Sequence, residues 1–184
     1  MRIISGKYKG SLVNFKADHI RPTTDRVKES LFNILMGEFE QTRVLDLFSG
    51  TGNLGIEALS RGARELVIVE KNRKSIEIIK SNLQRLKVSE PVEFHAQDVL
   101  LFLKKYEGPG FDVIFADPPF TEEMADDVMK AAATSQIFLP HSVMSIESTR
   151  REILRESYDP LIQVDQRPFG DKILSFFRLK DSSI

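Results

Sequence analysis

Residues 45–59, LDLFSGTGNLGIEAL, determine how the rest of this chain is organised. They begin with a short apolar run, break at Ser49-Gly50-Thr51-Gly52, and continue at once with the apolar spacing of a helix. A buried strand, a glycine turn and a helix in this order are typical of nucleotide-binding sites. Glycines let the backbone approach the ligand, and the first N–H groups of the helix point toward it. We therefore expect this turn to bind a nucleoside-like ligand.

The acids around the turn indicate which nucleoside it binds. Residues 50–55 fit the pattern G-x-G-x-x-G, and Glu70 follows at about the spacing expected for an acid that binds a ribose. Asp46, near the end of the first strand, would repel the phosphates of a dinucleotide but suits a positively charged ligand. S-adenosylmethionine carries an ammonium and a sulfonium group and no phosphate. The sequence therefore favours S-adenosylmethionine, and NAD is the alternative.

The length and charge of the chain limit its organisation. Its 184 residues are enough for one domain with a sizeable core and a small extension. Residues 1–28 hold seven of the 26 Lys and Arg residues but only two of the 27 Asp and Glu residues. This basic segment predicts contact with a polyanion, although a solvated surface segment explains the charge equally well. We expect a basic extension over residues 1–40 that packs on a main domain over 41–184.

The composition also predicts what the protein lacks. It has no cysteine, which excludes disulfides and thiolate metal sites and fits a cytoplasmic protein. No apolar run approaches transmembrane length, and the N-terminus has no signal-peptide core. The three histidines are scattered singly. We expect a cytoplasmic monomer that uses neither a metal nor a membrane.

The order of the predicted elements indicates an α/β fold. Strands are predicted over residues 44–48, 65–70, 91–95, 111–116, 143–147, 162–164 and 173–179. Helices are predicted from residue 24 or 25, over 72–86, from 98 to 103, and from after 120 to about 133, and residues 2–15 form a small ribbon. Strands that alternate with helices form a parallel, doubly wound, Rossmann-like sheet, with ligands at the carboxyl ends of its strands. The last two strands are joined too closely for a crossover, so they should pair as an antiparallel hairpin.

Three acids would meet at this rim of the predicted sheet. Glu70 can accept both ribose hydroxyls, Asp98 can accept from the adenine amino group, and Asp46 can balance positive charge. For Asp98 the alternative interpretation is a helix N-cap. For Glu70 the alternative is an exposed carboxylate at the end of a strand.

The loop Asp117-Pro118-Pro119-Phe120 is the most specific indication of chemistry. Two prolines remove two backbone donors and fix φ, so the loop is stiff and its carbonyls can accept hydrogen bonds. Asp117 and the Pro118 carbonyl would accept the two hydrogens of a planar amine, and Phe120 would stack on its ring. This arrangement favours a pyramidal nitrogen whose lone pair points at a methyl group, and such positioning removes up to roughly 7–11 kcal/mol of barrier. The alternative is a stiffened turn with Phe120 in the core.

The motifs together resemble the bacterial 16S ribosomal RNA guanine-N2 methyltransferases of the RsmD family. The resemblance runs through MRIISGKYKG (1–10), RPTTDRVKESLFNIL (21–35), VLDLFSGTGNLGIEALSRGA (44–63), VEK (69–71), FADPPF (115–120) and, more loosely, GDKILSFF (170–177). Many methyltransferases share the glycine motif, and amino-methylating ones share the DPPF loop. The segment RPTTDRVKE is what points to this family.

The resemblance implies a class I methyltransferase fold, S-adenosylmethionine as methyl donor, and a guanine of 16S rRNA as acceptor. The partner would be 16S rRNA or a partly assembled small subunit. The implied cofactor-binding residues are Asp46, Phe48, Gly50, Gly52, Glu70, Lys71 and Asp98, the catalytic residues are Asp117, Pro118, Pro119 and Phe120, and the substrate-binding residues are Arg21, Thr23, Thr24 and Arg26. Phe120 stands where the family usually has tyrosine, and Lys172 where threonine is common.

The expected reaction needs neither a metal nor a covalent intermediate. The target guanine leaves its stack, its amino nitrogen attacks the methyl group in line, and the proton leaves to water. Three alternatives stay open at this point: an NAD-dependent oxidoreductase, an amino-methyltransferase that acts on DNA, and a non-catalytic ribosome-assembly factor.

Overall fold

A computed structural model describes residues 2–14, 25–120 and 122–180 of the chain. The helices in this part are α1 (Asp25–Ile34), α2 (Asn53–Ser60), α3 (Arg73–Leu86), α4 (Val99–Lys105) and α5 (Ala125–Ala133). The strands are β1 (Arg43–Leu47), β2 (Glu65–Val69), β3 (Val92–His95), β4 (Phe111–Ala116), β5 (Phe138–Thr149), β6 (Ser157–Tyr158), β7 (Leu161–Phe169) and β8 (Lys172–Leu179).

These strands form a single sheet in the order β3-β2-β1-β4-β5-β8-β7-β6. The five strands from β3 to β5 in this order are parallel, and β8, β7 and β6 follow as antiparallel neighbours. The predicted doubly wound fold with an antiparallel terminal hairpin is therefore confirmed. The predicted number of seven strands was too small, because the described residues contain eight.

The differences from the predicted strands have local causes. The strand that was missed, β6, has only two residues, too few to show any alternation of apolar and polar side chains. Strand β5 begins at Phe138 rather than at Val143, and the early part was missed because Pro140 interrupts it. Strand β7 extends to Phe169 through mostly polar residues, and β6 pairs only with its first two. The rest of β7 is thus an edge, where Pro168 costs no hydrogen bond to a neighbour.

The core consists of two layers, one on each face of the sheet. Because strand side chains alternate between faces, neighbouring residues of β1 belong to different layers. Helices α1, α2 and α3 cover one face, and the strand residues beneath them are Val44, Leu66, Ile68, Val113, Phe115 and Val143. Helices α4 and α5 cover the other face, and the strand residues there are Leu45, Leu47, Val67, Val69, Ile114, Met144 and Ile146. The central strands are buried on both faces, as parallel strands usually are.

Residues 2–14 fold onto helix α2. A two-stranded ribbon was predicted here, but the segment contains a single antiparallel β-bridge, between Arg2 and Leu12. Only a few backbone hydrogen bonds accompany the bridge, too few for two strands. The buried carboxylate of Glu57 accepts from the backbone N–H groups of Ile4 and Ser5 at 2.9 and 3.0 Å. Lys28 of α1 pairs with the same carboxylate at 2.8 Å. The N-terminal segment and α1 therefore share a core layer with α2, and the boundary at residue 40 stays a prediction.

Candidate active site

The glycine turn and the DPPF loop lie side by side at the carboxyl ends of β1 and β4. Leu47 and Ala116, the last residues of the two strands, are partners in the sheet, and the Asp117 N–H lies 3.5 Å from the Leu47 oxygen. The strand order reverses at this place, since the chain builds β2 and β3 on one side of β1 and then β4 and β5 on the other. Open α/β sheets bind ligands in the crevice at such a reversal.

The glycine turn has the backbone that its sequence predicts. Gly50 and Gly52 have φ of 54° and 81°, in the left-handed region that glycine adopts at little cost. Gly52 is the N-cap of α2, so the helix begins directly from the turn. A Cβ at Gly55 would lie 2.9 Å from Asp46 Oδ2, so this position needs glycine for the close approach of α2 to β1.

Glu70 is fixed at the end of β2. One carboxylate oxygen accepts from the Gly50 N–H at 2.8 Å, and the other accepts from the Asn72 N–H at 2.7 Å. A carboxylate oxygen can accept more than one hydrogen bond, so Glu70 still has lone pairs for a ligand. Lys71 is exposed beside it, 3.8 Å from Glu122, which follows the DPPF loop.

Asp46 lies beneath the turn rather than on its surface. The carboxylate is 2% exposed and accepts from the Gly55 N–H at 2.9 Å. Burial, together with the negative charges of Asp117 and Glu70, raises the pKa of Asp46 to about 7. Asp46, Asp117 and Glu70 are therefore close enough to interact.

Phe48 and Asp98 are the remaining two residues that were predicted to bind the cofactor. Phe48 follows β1 directly, is half-buried, and has a φ of 59°. Asp98 is exposed, and its Oδ1 accepts from the Leu101 N–H at 3.1 Å. Asp98 is thus the N-cap of α4, which was the alternative interpretation. A contact between Asp98 and adenine stays a prediction.

The DPPF loop is held by side chains from the far end of the chain. Pro118 is buried, while Asp117 and Phe120 are half-buried. Lys172 Nζ, at the start of β8, lies 4.0 Å from the centroid of the Phe120 ring, which is a cation–π contact. Lys172 also forms an ion pair with Glu147 of β5. The loop therefore connects to two strands that lie beyond β4 in the sheet.

Two kinds of comparison agree on what the chain is similar to. A family model described as conserved hypothetical protein 95 matches residues 1–178. The chain belongs to this family, the RsmD family. The ribosomal RNA small subunit methyltransferase D of Haemophilus influenzae is 39% identical over 153 residues, 82% of this chain and 79% of that protein. YlbH of Bacillus subtilis is 36% identical over 173 residues, 92% of this chain and 94% of that protein.

Solved structures show the same relationship. The chain resembles yhhF of Escherichia coli with a TM-score of 0.87 and 27% identity, over 97% of both chains. The fold is the Rossmann-like fold of class I methyltransferases. The resemblance to the RsmD family that the motifs predicted is therefore confirmed.

The structure brings together most of the residues that the RsmD motifs predicted. Asp46, Gly50, Gly52 and Glu70 lie around the turn, and the Asp117 loop lies beside them. The substrate-binding prediction concerns residues at or near the start of α1. Arg21, Thr23 and Thr24 lie outside the described residues, and Arg26 is exposed on α1.

Sequence reasoning missed Glu147 and gave little weight to Lys172. Glu147 is 4% exposed, and burial raises its pKa to about 7, with a further contribution from Asp117, to which it is hydrogen-bonded. The one signal was an acid inside the predicted apolar strand over residues 143–147. Its meaning depends on Asp117 and Lys172, which are distant in the sequence.

Within the part of the chain that the structure describes, no three His, Asp or Glu side chains are grouped so that they could hold a metal ion. None of the helices in this part has both the length and the apolar character needed to cross a bilayer.

Proposed function

We propose that this protein transfers the methyl group of S-adenosylmethionine to the exocyclic N2 amine of a guanine in 16S rRNA. The observation that carries the proposal is the meeting of the glycine turn and the DPPF loop at the strand-order reversal. A binding surface for a nucleoside and a receptor for an aromatic amine then lie next to each other. The names of the relatives, which include small subunit methyltransferases, support the class of substrate.

The carboxylates around the turn fit S-adenosylmethionine better than NAD. Burial is the main cause of the raised pKa of Asp46, and the negative charges of Asp117 and Glu70 add to it. A cationic ligand relieves this repulsion, whereas the phosphates of a dinucleotide increase it. Glu70 would accept hydrogen bonds from the ribose, Gly50 and Gly52 would let the backbone approach, and Phe48 would contact the adenosine part. S-adenosylmethionine supplies an electrophilic methyl group on a sulfonium.

The DPPF loop would bind the guanine that accepts the methyl group. Asp117 and the carbonyl of Pro118 accept the two N2 hydrogens and direct the nitrogen lone pair toward the turn. Lys172 covers one face of Phe120, so the guanine would stack on the other face. As the new N–C bond forms and the C–S bond breaks, the extra proton on N2 leaves to water. This positioning is the main contribution that the protein makes to the reaction.

The basic N-terminal part would bind the rRNA backbone. Residues 1–28 carry most of their charge as Lys and Arg, and phosphate contacts supply affinity without reading sequence. Residues 1–40 would act as the RNA-binding extension of a monomer, with Arg21, Thr23, Thr24 and Arg26 near the substrate. The substrate, as 16S rRNA or a partly assembled small subunit, places the reaction in the cytoplasm.

The test is mass spectrometry of rRNA from a strain with and without the gene. We expect the deletion to remove one N2-methylguanine from 16S rRNA, resembling the modification at position 966. The wild-type gene should restore it. Unchanged 16S rRNA would contradict the proposal, and a lost methyl group in DNA would support the DNA-methylating alternative. Binding of NADH without any binding of S-adenosylhomocysteine would support the oxidoreductase.

A further inference from the structure

Glu147 is a buried carboxyl group that the proposed reaction does not use. It lies near the carboxyl end of β5 and is 4% exposed, so a substrate base has no access to it. Two groups contact it from neighbouring strands. Asp117, at the end of β4, is hydrogen-bonded to it, so the two carboxyl groups share one proton and one negative charge, and Lys172, at the start of β8, pairs with that charge.

The sheet register explains why these three side chains meet. Glu147 of β5 is paired with Leu174 of β8, and Thr149 is paired with Lys172. Glu147 and Lys172 are therefore diagonal neighbours on the same face of an antiparallel pair, which is within reach of long side chains. Strand β4 is the other neighbour of β5, so its terminal Asp117 approaches Glu147 from the opposite side.

The contacts suggest what the carboxylate of Glu147 does for the loop. Lys172 is a buried cation, with 11% of its side chain exposed, and it needs an anionic partner. Without Glu147, Lys172 could turn to Asp117, the other acid that contacts the Glu147 carboxyl group. An ion pair with Lys172 would occupy the oxygens of Asp117 that the guanine amine needs, and it would pull Lys172 away from the Phe120 ring.

We propose that Glu147 is a positioning residue for the catalytic loop. One carboxyl oxygen of Glu147 accepts from Lys172 and keeps it against Phe120, and the other, which carries the proton, donates to Asp117, so that the Asp117 carboxylate is oriented to accept from the substrate amine. Glu147 itself does not contact the substrate. This role rests on the proposed function of the Asp117 loop.

The experiment compares Glu147→Ala and Glu147→Gln with the wild type. The substrate is the 30S subunit from a strain that lacks the gene, and the methyl donor is tritiated S-adenosylmethionine. We expect Glu147→Ala to lower kcat by about 100-fold, the effect of a displacement of about 1 Å in a reacting group, with KM for S-adenosylmethionine unchanged. Glu147→Gln should restore most of the turnover, because its amide donates to Asp117 and its carbonyl accepts from Lys172.

The matched control is Glu65→Ala. Glu65 also belongs to an ion pair between strands, with Arg43 at 2.9 Å, but it lies at the amino end of β2, away from the loop. Its loss should lower the melting temperature without lowering kcat. If Glu147→Ala lowers only the melting temperature, Glu147 is structural and the positioning role is wrong. Equal loss of kcat in the alanine and glutamine variants would also overturn it.

A second measurement keeps the two proposals apart. If the wild type labels no rRNA, the proposed function fails, and hydrogen exchange still tests the positioning role. We expect faster exchange in a peptide that covers residues 115–125 for Glu147→Ala but not for Glu147→Gln. Unchanged exchange in both variants would show that Glu147 does not hold the loop.

Discussion

The two halves of the site hold their carboxylates in different ways. In the half built on β1 and β2, backbone N–H groups hold the carboxylates in place. Glu70 accepts from the N–H groups of Gly50 and Asn72, and Asp46 accepts from that of Gly55. In the half built on β4 and β5, other side chains hold the carboxylates in place. Asp117 is hydrogen-bonded to Glu147, and Glu147 is paired with Lys172. Hydrogen bonds from the backbone form once the local turn has the right conformation. Contacts between side chains form only when strands that are distant in the sequence pair correctly.

This difference decides where each half is sensitive to mutation. The backbone donors of the glycine turn survive any side-chain substitution that keeps the turn. The DPPF loop depends on particular side chains at positions 147 and 172, so single substitutions far from position 117 in the sequence can misplace it. Cofactor binding and turnover should therefore respond to different sets of mutations.

The largest effect is expected for Asp117→Ala. The variant loses the main acceptor for the guanine amine, so kcat should fall by about 100–1,000-fold or more, as when a residue that orients or stabilises the reacting group is removed. Binding of S-adenosylhomocysteine, measured by calorimetry, should remain, because the turn and Glu70 are unchanged.

Asp112→Ala is the matched control for Asp117→Ala. Asp112 belongs to the same strand, but it lies at the opposite end and accepts from the Arg43 N–H at 2.7 Å. Its loss should lower stability and leave kcat per folded molecule unchanged. Unchanged turnover in Asp117→Ala would refute its catalytic assignment and would remove the functional contrast between the two halves.

For Glu70→Ala we expect weaker cofactor binding with little change in kcat, the opposite of the result expected for Asp117→Ala. Glu70 would bind the ribose, and a hydrogen bond to a charged group contributes about 1.5–3 kcal/mol, so the affinity for S-adenosylhomocysteine should fall about 10–100-fold. At saturating S-adenosylmethionine, kcat should change little. Glu77→Ala, on the exposed face of α3, serves as the control. If the variant unfolds more easily but binds S-adenosylhomocysteine with normal affinity, Glu70 only stabilises the glycine turn and does not contact the ribose.

The same contrast explains what could be predicted from the sequence. The turn at Gly50, the strand before it and the helix after it are set by neighbouring residues, so local patterns predict them. Glu70 is bonded to the turn that precedes it by one strand and one helix, and a known spacing predicts its position. The part of the fold that depends on alternating strands and helices was predicted for the same reason.

The network around Glu147 could not be predicted from local patterns. Its position depends on β8 pairing with β5 in one register, and a shift of one residue would turn Lys172 to the other face. The sequence could not show this register because β5 and β8 are separated by residues 150–171, so no tight turn of fixed length sets their alignment. The site residues contributed by local segments were therefore easier to find than those contributed by the terminal strands.

Asp46→Asn tests the buried carboxylate of the β1 half, which interacts with Asp117 of the other half. Below about pH 4, Asp46 is protonated in the folded and unfolded states, and it does not affect the pH dependence of stability. Since its folded-state pKa is raised to about 7, the unfolded state ionises first, and the wild type loses stability as the pH rises from about 4 to about 7. The asparagine side chain does not ionise and still accepts from the Gly55 N–H.

The measurement for Asp46→Asn is urea unfolding at a series of pH values from 4 to 8. The stability of the variant relative to the wild type should rise by about 4 kcal/mol between the ends of the range, at about 1.4 kcal/mol for each pH unit between the unfolded and folded pKa values of Asp46. The raised pKa of Glu147 acts in the same window in both proteins, so it cancels in the comparison. Parallel stability curves would show that Asp46 is not perturbed in the folded protein.

The smallest effect is expected at Asp98, where one side chain has two possible roles. Asp98→Ala should lose the N-cap of α4, at a cost of about 1 kcal/mol, and Asp98→Ser should keep the cap through its hydroxyl. If Asp98 also accepts from the adenine amino group, both variants should lose affinity for S-adenosylhomocysteine by about 3–10-fold, since neither has a carboxylate. If only Asp98→Ala is weakened, and only in stability, capping is its sole role. Recognition of adenine would then come from Phe48 and the glycine turn, and the cofactor half would depend on the backbone even more than its hydrogen bonds suggest.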